Sequence, residues 1–225
     1  MSKLLNVSSS PHVRCGVSTK NLMYDVAIAM LPATIWGVMQ FGIYSLIVVV
    51  ATVLSCVLSE YLFETLMHKP VTISDGSALV TGMILGLNMP PAIPLWMPIL
   101  GGVFAIIVVK QLYGGLGQNW MNPALAARCF MRISFAQAMT KFTDPVTDAV
   151  ASATPLAAIK AGDTYDLSAM FIGKIPGTIG EVSVIALLIG AAYLLVKKVI
   201  TIRIPAAYIL SFAVFAFIFG QHNIN

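Results

Sequence analysis

A polar stretch in the second half of the chain places a carboxylate and two hydroxyls within seven residues. Asp148 opens it, and Ser152, Ala153 and Thr154 close it directly before Pro155. A hydroxyl in such a loop can accept a covalently attached group. The same residues also fit a plain helix start, with Thr154 as the N-cap and Pro155 at the first helical position. On the residues alone, the helix start is the simpler interpretation.

Two arginines one helical turn apart form a second candidate site. Arg128 and Arg132 lie in a moderately apolar segment that begins with Asn122 and Pro123, a typical N-cap and first helical residue. This pattern predicts a helix from Pro123 to about Met139. Because arginine is unfavourable in lipid, both side chains should face protein, a phosphate group or the membrane interface. Phosphate binding is one interpretation, and pairing with acids or lipid headgroups is the other.

A third group of ionisable residues lies in or beside apolar runs. Glu60 and Glu64 have i,i+4 spacing and share one helix face. We expect an interfacial pair close to the next basic turn, at His68 and Lys69, although a cation or proton role is the alternative. By charge alone, Lys110 is a further candidate for ion coupling.

Two aspartates complete this group of ionisable residues. Asp75 is also a candidate for ion coupling by its charge, and with Ser74 it resembles a helix cap. Asp25 opens the first apolar run and is predicted to be an acid in the first turn of a helix, where the helix dipole favours it.

Composition places the chain in a membrane. Of its 225 residues, 58% are hydrophobic and 10% are charged, whereas soluble domains carry about 25% charged residues. The net charge of +4 comes from scattered basic residues, which does not support nucleic-acid binding. The cysteines at 15, 56 and 129 lack metal or redox spacing.

Hydropathy predicts an all-α integral membrane protein, a polytopic helix bundle with broken or re-entrant helices. A twelve-residue apolar piece, 78–89, precedes several prolines and is too short to span a bilayer. The longer apolar runs cover 24–41, 43–63, 95–112, 179–196 and 204–219. We expect one membrane domain over 1–225, divided into an N-terminal segment 1–21, membrane helices 22–139, a loop 140–178 and membrane helices 179–225.

The basic residues predict the orientation of the chain. Lysine and arginine collect in cytoplasmic segments, and they occur at the N-terminus, at the His68-Lys69 turn and at the turn containing Lys197, Lys198 and Arg203. We therefore expect a cytoplasmic N-terminus and an external loop at 140–178.

The stretch from Asp148 to Thr154 resembles the covalent flavinylation motif of the RnfD and NqrB membrane proteins. That motif has the form Asp-x-x-Ser/Thr-Gly-Ala-Thr/Ser. Asp148, Ala153 and Thr154 match it, whereas Ala151 and Ser152 depart from it. The segments 74–82, 114–119 and 122–124 are also similar to this family, so the resemblance covers most of the chain. The short N-terminus favours the RnfD branch.

The resemblance implies two flavin cofactors. A flavin transferase would transfer FMN from FAD to the Thr154 hydroxyl as a phosphoester, within the segment that includes Asp148, Ser152, Ala153 and Pro155. Arg128 and Arg132 become candidate ligands of its phosphate. A second, noncovalent riboflavin is implied among the helices, and the candidate aromatic residues are Trp36, Trp96 and Trp120, for which a place in the interfacial belts is the alternative.

The resemblance also implies a function. The chain would be one membrane subunit of an ion-translocating ferredoxin:NAD⁺ oxidoreductase of the Rnf type, coupled to Na⁺ or H⁺ movement. Its partners would include an FMN-bearing RnfG-type subunit and iron–sulfur subunits. The family fold is related to urea-transporter-like channels, and members continue beyond residue 225, so we expect the C-terminal part of that fold to be missing. The alternatives are an NqrB-type subunit, a channel without redox function and a purely structural subunit.

Overall fold

The computed structural model describes residues 18–143, 150–151 and 167–219. Within them the regular secondary structure is helical apart from one pair of two-residue strands, which confirms the predicted all-α membrane fold. Three helical stretches are long and apolar enough to cross a bilayer, namely Thr19–Phe41, Ile43–Leu66 and Trp96–Tyr113. The motif residues Asp148, Ser152, Ala153, Thr154 and Pro155 lie outside the described residues, so their roles stay predictions.

The first two helices are α1 (Thr19–Phe41) and α2 (Ile43–Leu66), and they are separated only by Gly42, whose φ is +82°. The Ser18 side chain caps α1 by accepting a hydrogen bond from the Asn21 N–H at 3.3 Å. Asp25 therefore lies in the second turn, and its prediction as an N-terminal acid was wrong. The reason is that the capping serine extends the helix beyond the start of the apolar run.

The short helix α3 (Ser77–Leu87) is the predicted broken piece, preceded by a single 3₁₀ turn at Ile73–Asp75. Its eleven residues span about 16 Å, roughly half of a hydrocarbon core. Gly82 lets it pack closely on α2, since a Cβ at this position would lie 2.6 Å from the Val53 Cα. The Leu87 carbonyl at its end accepts from the Gly180 N–H at 2.8 Å, so backbone groups near this buried terminus are satisfied.

The next helical stretch changes its winding along its length. It begins as α4 (Trp96–Val103), continues as a π-helix (Phe104–Lys110) and ends in a 3₁₀ turn (Gln111–Tyr113). π-Helical segments are rare and are often found at functional sites. A glycine-rich turn follows, and Gly114 there has a φ of +113°.

Helix α5 (Pro123–Ser134) begins as predicted, because the Asn122 side chain accepts from the Ala124 N–H at 3.0 Å. The prediction that it extends to Met139 was wrong. Phe135 leaves the helical region, with φ −130° and ψ 48°, and its ring packs edge-on against Trp96. A separate turn, α6 (Ala136–Met139), follows this break.

Strands β1 (Phe142–Thr143) and β2 (Val150–Ala151) pair antiparallel within the first part of the predicted loop 140–178. Phe142 is the register partner of Ala151. Within the segment 140–178 the structure also has the short helix α7 (Leu167–Ile172).

The chain then forms α8 (Val184–Val196) and α9 (Arg203–Phe219). The predicted run from 179 does not start as a helix, because Ser183 caps α8 and residues 179 and 180 bond to the end of α3. Gly190 permits the close packing of α8 on α1, since a Cβ there would lie 2.3 Å from the Ala29 carbonyl oxygen. The main buried cluster joins α2, α3 and α5 and includes Val48, Leu85, Met89, Ala127 and Met131.

Candidate functional site

A buried ion pair links α2 to the end of the π-helix. The Lys110 Nζ lies 2.6 Å from the Glu60 Oε1, and the two side chains are 2% and 0% exposed. Lys110 is the last residue of the π-helix, and Glu60 lies in the second half of α2. A charged pair with so little solvent needs further hydrogen bonds to offset its desolvation.

Those hydrogen bonds come from the start of α3. The Lys110 ammonium donates to the Ser77 Oγ at 2.6 Å, and that hydroxyl donates to the Asp75 Oδ1 at 2.5 Å. The Ser77 N–H donates to the same carboxylate oxygen at 2.7 Å. Asp75 therefore caps the entry to α3, which agrees with its predicted cap-like role, and it is connected to Lys110 through Ser77.

The second glutamate of α2 belongs to the same group. The Gln111 side-chain amide donates to Glu60 at 2.8 Å and to Glu64 at 3.2 Å. Thr72 donates to Glu64 through its N–H at 2.9 Å and its hydroxyl at 2.5 Å. We call this group the acid network, and its members are Glu60, Glu64, Thr72, Asp75, Ser77, Lys110 and Gln111.

The predicted interfacial position of Glu60 and Glu64 was wrong. Both are buried, because the helix face that they share points toward Lys110 and Gln111 instead of the basic turn that follows α2. The acid network contains three carboxylates and one ammonium. The Glu60 Oε2 is buried and has no hydrogen-bond partner among the described residues.

A cavity of about 440 Å³ lies directly beside the acid network. We call it the Asn119 cavity, because the Asn119 Oδ1 is buried at its wall and has no hydrogen-bond partner in the described part of the chain. The Trp120 side chain also lines it. Further lining residues are Met23, Ser77, Val80, Thr81, Ile84, Lys110, Leu116, Met121, Asn122 and Pro123.

The two predicted arginines line a different cavity, of about 560 Å³. Arg128 donates to the Asn88 Oδ1 and, at 2.9 Å, to the Glu181 carboxylate. Arg132 donates to the Met139 carbonyl at 3.4 Å. We call this the arginine cavity, and its wall also contains Leu125, Cys129, Thr140, Phe142 and Thr178.

The arginine cavity is more open than the acid network. The Arg128 and Glu181 side chains are 36% and 53% exposed, so their ion pair is in contact with solvent. The wall of the arginine cavity contains two arginines and one carboxylate, so positive charge is in excess. Arg128 thus has the acid partner that one sequence interpretation expected, in a cavity that could also accept an anion.

The three tryptophans lie in different surroundings. Trp120 lines the Asn119 cavity and lies 6.2 Å from the Tyr113 ring. Trp96 packs against Phe135, and the Trp36 Nε1 is buried without a hydrogen-bond partner among the described residues. The structure therefore brings one of the three candidates, Trp120, to a cavity that also contains charged and polar groups.

Sequence reasoning missed the polar residues that join these charges. Ser77, Gln111, Thr72 and Asn119 were not identified as site residues. A signal for Gln111 was present, because it follows Lys110 at the end of an apolar run, where charged and polar side chains need buried partners. Their connection depends on the π-helix, which hydropathy does not predict.

Together these features define a polytopic membrane protein that holds opposite charges at two separate sites, one buried and one open to solvent. The chain belongs to the NQR2, RnfD, RnfE family, whose family model matches residues 6–225. The resemblance stated from the sequence is thereby confirmed.

Three relatives illustrate the similarity. The chain is 46% identical to the D subunit of the Na⁺-translocating ferredoxin:NAD⁺ oxidoreductase complex of Acetobacterium woodii, over 98% of the chain and 71% of that protein. It is 39% identical to the D subunit of the proton-translocating ferredoxin:NAD⁺ oxidoreductase complex of Clostridium ljungdahlii, over 96% of the chain and 70% of that protein. It is 32% identical to the D subunit of the ion-translocating oxidoreductase complex of Rhodobacter capsulatus, over 88% of the chain and 65% of that protein.

Proposed function

We propose that the chain is the D-type membrane subunit of an ion-translocating ferredoxin:NAD⁺ oxidoreductase and carries FMN on Thr154. The similarity to the D subunits of such complexes over nearly the whole chain supports this assignment. Partner subunits would include an FMN-bearing RnfG-type subunit and iron–sulfur subunits. An NqrB-type subunit of the same family is the alternative, and the names of the relatives above favour the Rnf type.

The position of the arginine cavity carries the FMN part of the proposal. Phe142 lines that cavity and is the register partner of Ala151. Thr154 follows Ala151 by three residues, and an extended chain spans at most about 3.6 Å per residue. The Thr154 acceptor is therefore attached within about 11 Å of a residue whose strand partner belongs to the cavity wall.

The charge of the arginine cavity fits a phosphoester. Arg128 and Arg132 can each donate in a planar, forked geometry that matches phosphate oxygens, and Glu181 balances only one of them. The bound FMN would supply electron transfer, and the protein would hold its phosphate and keep it at the membrane surface. A covalent bond would prevent loss of the flavin to water from an external loop.

The Asn119 cavity fits the proposed noncovalent riboflavin. Trp120 offers an aromatic surface, and the buried Asn119 Oδ1 is an acceptor without a partner in the described residues. An isoalloxazine ring presents both a flat aromatic face and an imide N–H donor. Asn119 would accept from that donor, and Trp120 would pack against the ring.

The acid network fits a role in ion coupling. Its three carboxylates exceed its single ammonium, and unbalanced charge inside a membrane protein favours uptake of a proton or cation. The Glu60 Oε2 has no partner among the described residues and could take either. The names of the relatives include both a Na⁺- and a proton-translocating complex, so either ion is consistent with this role.

The membrane setting follows from the basic segments. Under this proposal the N-terminus and the acid network lie toward the cytoplasm of an inner membrane, because Lys69 follows the end of α2. The loop with Thr154 lies on the opposite side.

Flavin fluorescence of the denatured protein tests the covalent assignment. The chain is produced with a flavin transferase, and denaturing gels are viewed under ultraviolet light. We expect a fluorescent band for the wild type and for Ser152→Ala, the matched control two residues away, and a dark band of equal protein content for Thr154→Ala. Fluorescence retained in Thr154→Ala would contradict the assignment. A wild type that binds no flavin would favour a channel.

A further inference from the structure

The Lys110 ammonium belongs to both the acid network and the Asn119 cavity. An ammonium has three N–H donors, and two of them are engaged, by the Glu60 Oε1 and the Ser77 Oγ, each at 2.6 Å. Lys110 also lines the Asn119 cavity, as does Ser77. Within the described residues this ammonium makes no other hydrogen bond, so its third N–H is available to a ligand in that cavity.

The π-helix explains how this lysine reaches the acids. Each residue of an α-helix turns the chain by about 100°, so a change of winding redirects every side chain that follows. The seven π-helical residues end at Lys110, and this side chain is almost completely buried. Such segments often occur where a functional residue needs a position that an α-helix would not give it.

We propose that Lys110 binds the ligand in the Asn119 cavity directly and transmits that ligand's charge to Glu60. This inference rests on the proposed riboflavin in the same cavity. The titratable groups around the ammonium are Glu60, Glu64 and Cys56 on α2 and Asp75 before α3. Of these, Glu60 bonds directly to Lys110 and Asp75 is connected to it through Ser77.

The expected charge transfer is balanced. A reduced iron–sulfur protein, the donor class named for the relatives as ferredoxin, would supply two electrons to a flavin bound beside Lys110. With one proton taken up, that ligand would carry a negative charge for the Lys110 ammonium to bind. The Lys110 ammonium is then shared between that anion and Glu60. The Glu60 carboxylate, held less strongly by Lys110, takes up one proton or one Na⁺ through its Oε2. Reoxidation would pass the two electrons on toward a nicotinamide, the acceptor class in the names of the relatives. It would release the flavin's own proton and also the proton or Na⁺ held by Glu60.

Riboflavin binding to the full chain tests this without any turnover. The chain carries Thr154→Ala, so that no covalent flavin is present, and is titrated with riboflavin in the oxidised form and again after chemical reduction. The ratio of the two dissociation constants is measured at several pH values and Na⁺ concentrations. In otherwise unmodified protein we expect reduced riboflavin to bind more tightly, with a preference that depends on pH or Na⁺.

The variants separate a direct role of Lys110 from a structural one. In Lys110→Gln we expect the preference for reduced riboflavin to fall at least tenfold and to lose its dependence on pH and Na⁺, whereas Lys110→Arg should keep the preference. Lys197→Gln is the matched control, because this lysine is 52% exposed and lies 3.7 Å from the Asp25 carboxylate, outside both cavities; it should behave as the parent chain. An unchanged preference in a folded Lys110→Gln variant would overturn the inference.

A second variant keeps the test decisive if Lys110→Gln does not fold. In Glu60→Gln the lysine is no longer balanced by this carboxylate, so we expect a stronger preference for reduced riboflavin and no dependence on pH or Na⁺. A parental dependence in Glu60→Gln would overturn the coupling while leaving the cavity assignment intact. If riboflavin does not bind the parent chain at all, the cavity assignment itself is wrong and the inference falls with it.

Discussion

The acid network and the arginine cavity are opposite in charge, in burial and in how firmly their groups are held. In the acid network, the Lys110–Glu60 pair is at most 2% exposed. Its acceptors on α2 receive hydrogen bonds from the end of the π-helix, from the 3₁₀ turn that follows it and from Thr72. In the arginine cavity, the Arg128–Glu181 pair is 36% and 53% exposed. A buried pair is not screened by water or salt, whereas an exposed pair is and can exchange partners.

This difference suggests that the two ends of helix α5 have different functions. Helix α5 begins at the Asn119 cavity, through Asn122 and Pro123, and carries both arginines further along. Ten residues separate Asn122 from Arg132, which corresponds to about 15 Å of helix. The buried end suits a group whose charge must act on neighbouring side chains without screening by water. The exposed end suits an anionic group that arrives after folding.

The largest expected effect comes from removing the buried cation. Lys110→Met leaves Glu60 charged and without its closest partner inside the protein, so we expect a loss of about 3–5 kcal/mol in the free energy of unfolding. The same change at Arg132, which is exposed, should cost less than about 1 kcal/mol. Thermal unfolding in detergent measures both.

The double variant Glu60→Gln with Lys110→Met provides the control for this first prediction. Removing both charges should restore most of the lost stability, because no buried charge is then left without compensation. Equal losses from Lys110→Met and Arg132→Met would show that the two regions do not differ as their burial suggests.

A steric change near each region should disturb that region alone. A Cβ on Gly82 would lie 2.6 Å from the Val53 Cα and would push α3 from α2, whereas a Cβ on Gly180 would lie 2.7 Å from the Leu87 Cβ, next to Glu181. Each alanine variant should lose about 1–3 kcal/mol of stability. We expect Gly82→Ala to weaken riboflavin binding and Gly180→Ala to slow FMN attachment.

Gly101→Ala is the matched control for these two variants. Its Cβ would meet side-chain atoms at ordinary distances of 3.4 Å or more, so little change is expected in stability, riboflavin binding or attachment rate. If Gly82→Ala and Gly180→Ala impair both flavins equally, the two regions are not independent.

Charge changes in the arginine cavity should alter FMN attachment in opposite directions. Arg128→Gln or Arg132→Gln would remove the charge-assisted hydrogen bond that we propose to the FMN phosphate. Such a bond is worth about 1.5–3 kcal/mol, so we expect attachment by the flavin transferase to slow about tenfold or more. Glu181→Gln removes the competing carboxylate from Arg128, so attachment should be faster, by a few-fold. The time course of in-gel fluorescence measures both, and changes of the same sign would argue against a phosphate at this cavity.

The sequence predicts more of the helices than of the contacts between them. Hydropathy gives α2 and α9 to within three residues, and the Asn122–Pro123 pair gives the start of α5. It misses the break at Phe135, because that residue leaves the helix to pack on Trp96, a contact distant in sequence.

The site residues divide in the same way. Charge alone identified Glu60, Glu64, Asp75 and Lys110, but it could not tell that they meet. The interfacial prediction for the glutamates failed because sequence spacing fixes which residues share a helix face and not which neighbour that face meets. Only the packing of α2 against the π-helix determines that neighbour.

The smallest expected effect lies outside both regions, where α8 meets α1. The Tyr193 hydroxyl donates to the Asp25 carboxylate at 2.8 Å, and the Lys197 Nζ lies 3.7 Å from the same oxygen. Tyr193→Phe removes one hydrogen bond but keeps the ring, so we expect a small loss in the free energy of unfolding, below that of the destabilising variants above. Because Lys197 still compensates Asp25, riboflavin binding and FMN attachment should both equal those of the wild type. A clear change in riboflavin binding or in FMN attachment would mean that the α1–α8 contact is energetically linked to the two charged regions. We do not expect such a link, because the side chains of this contact are separate from those regions.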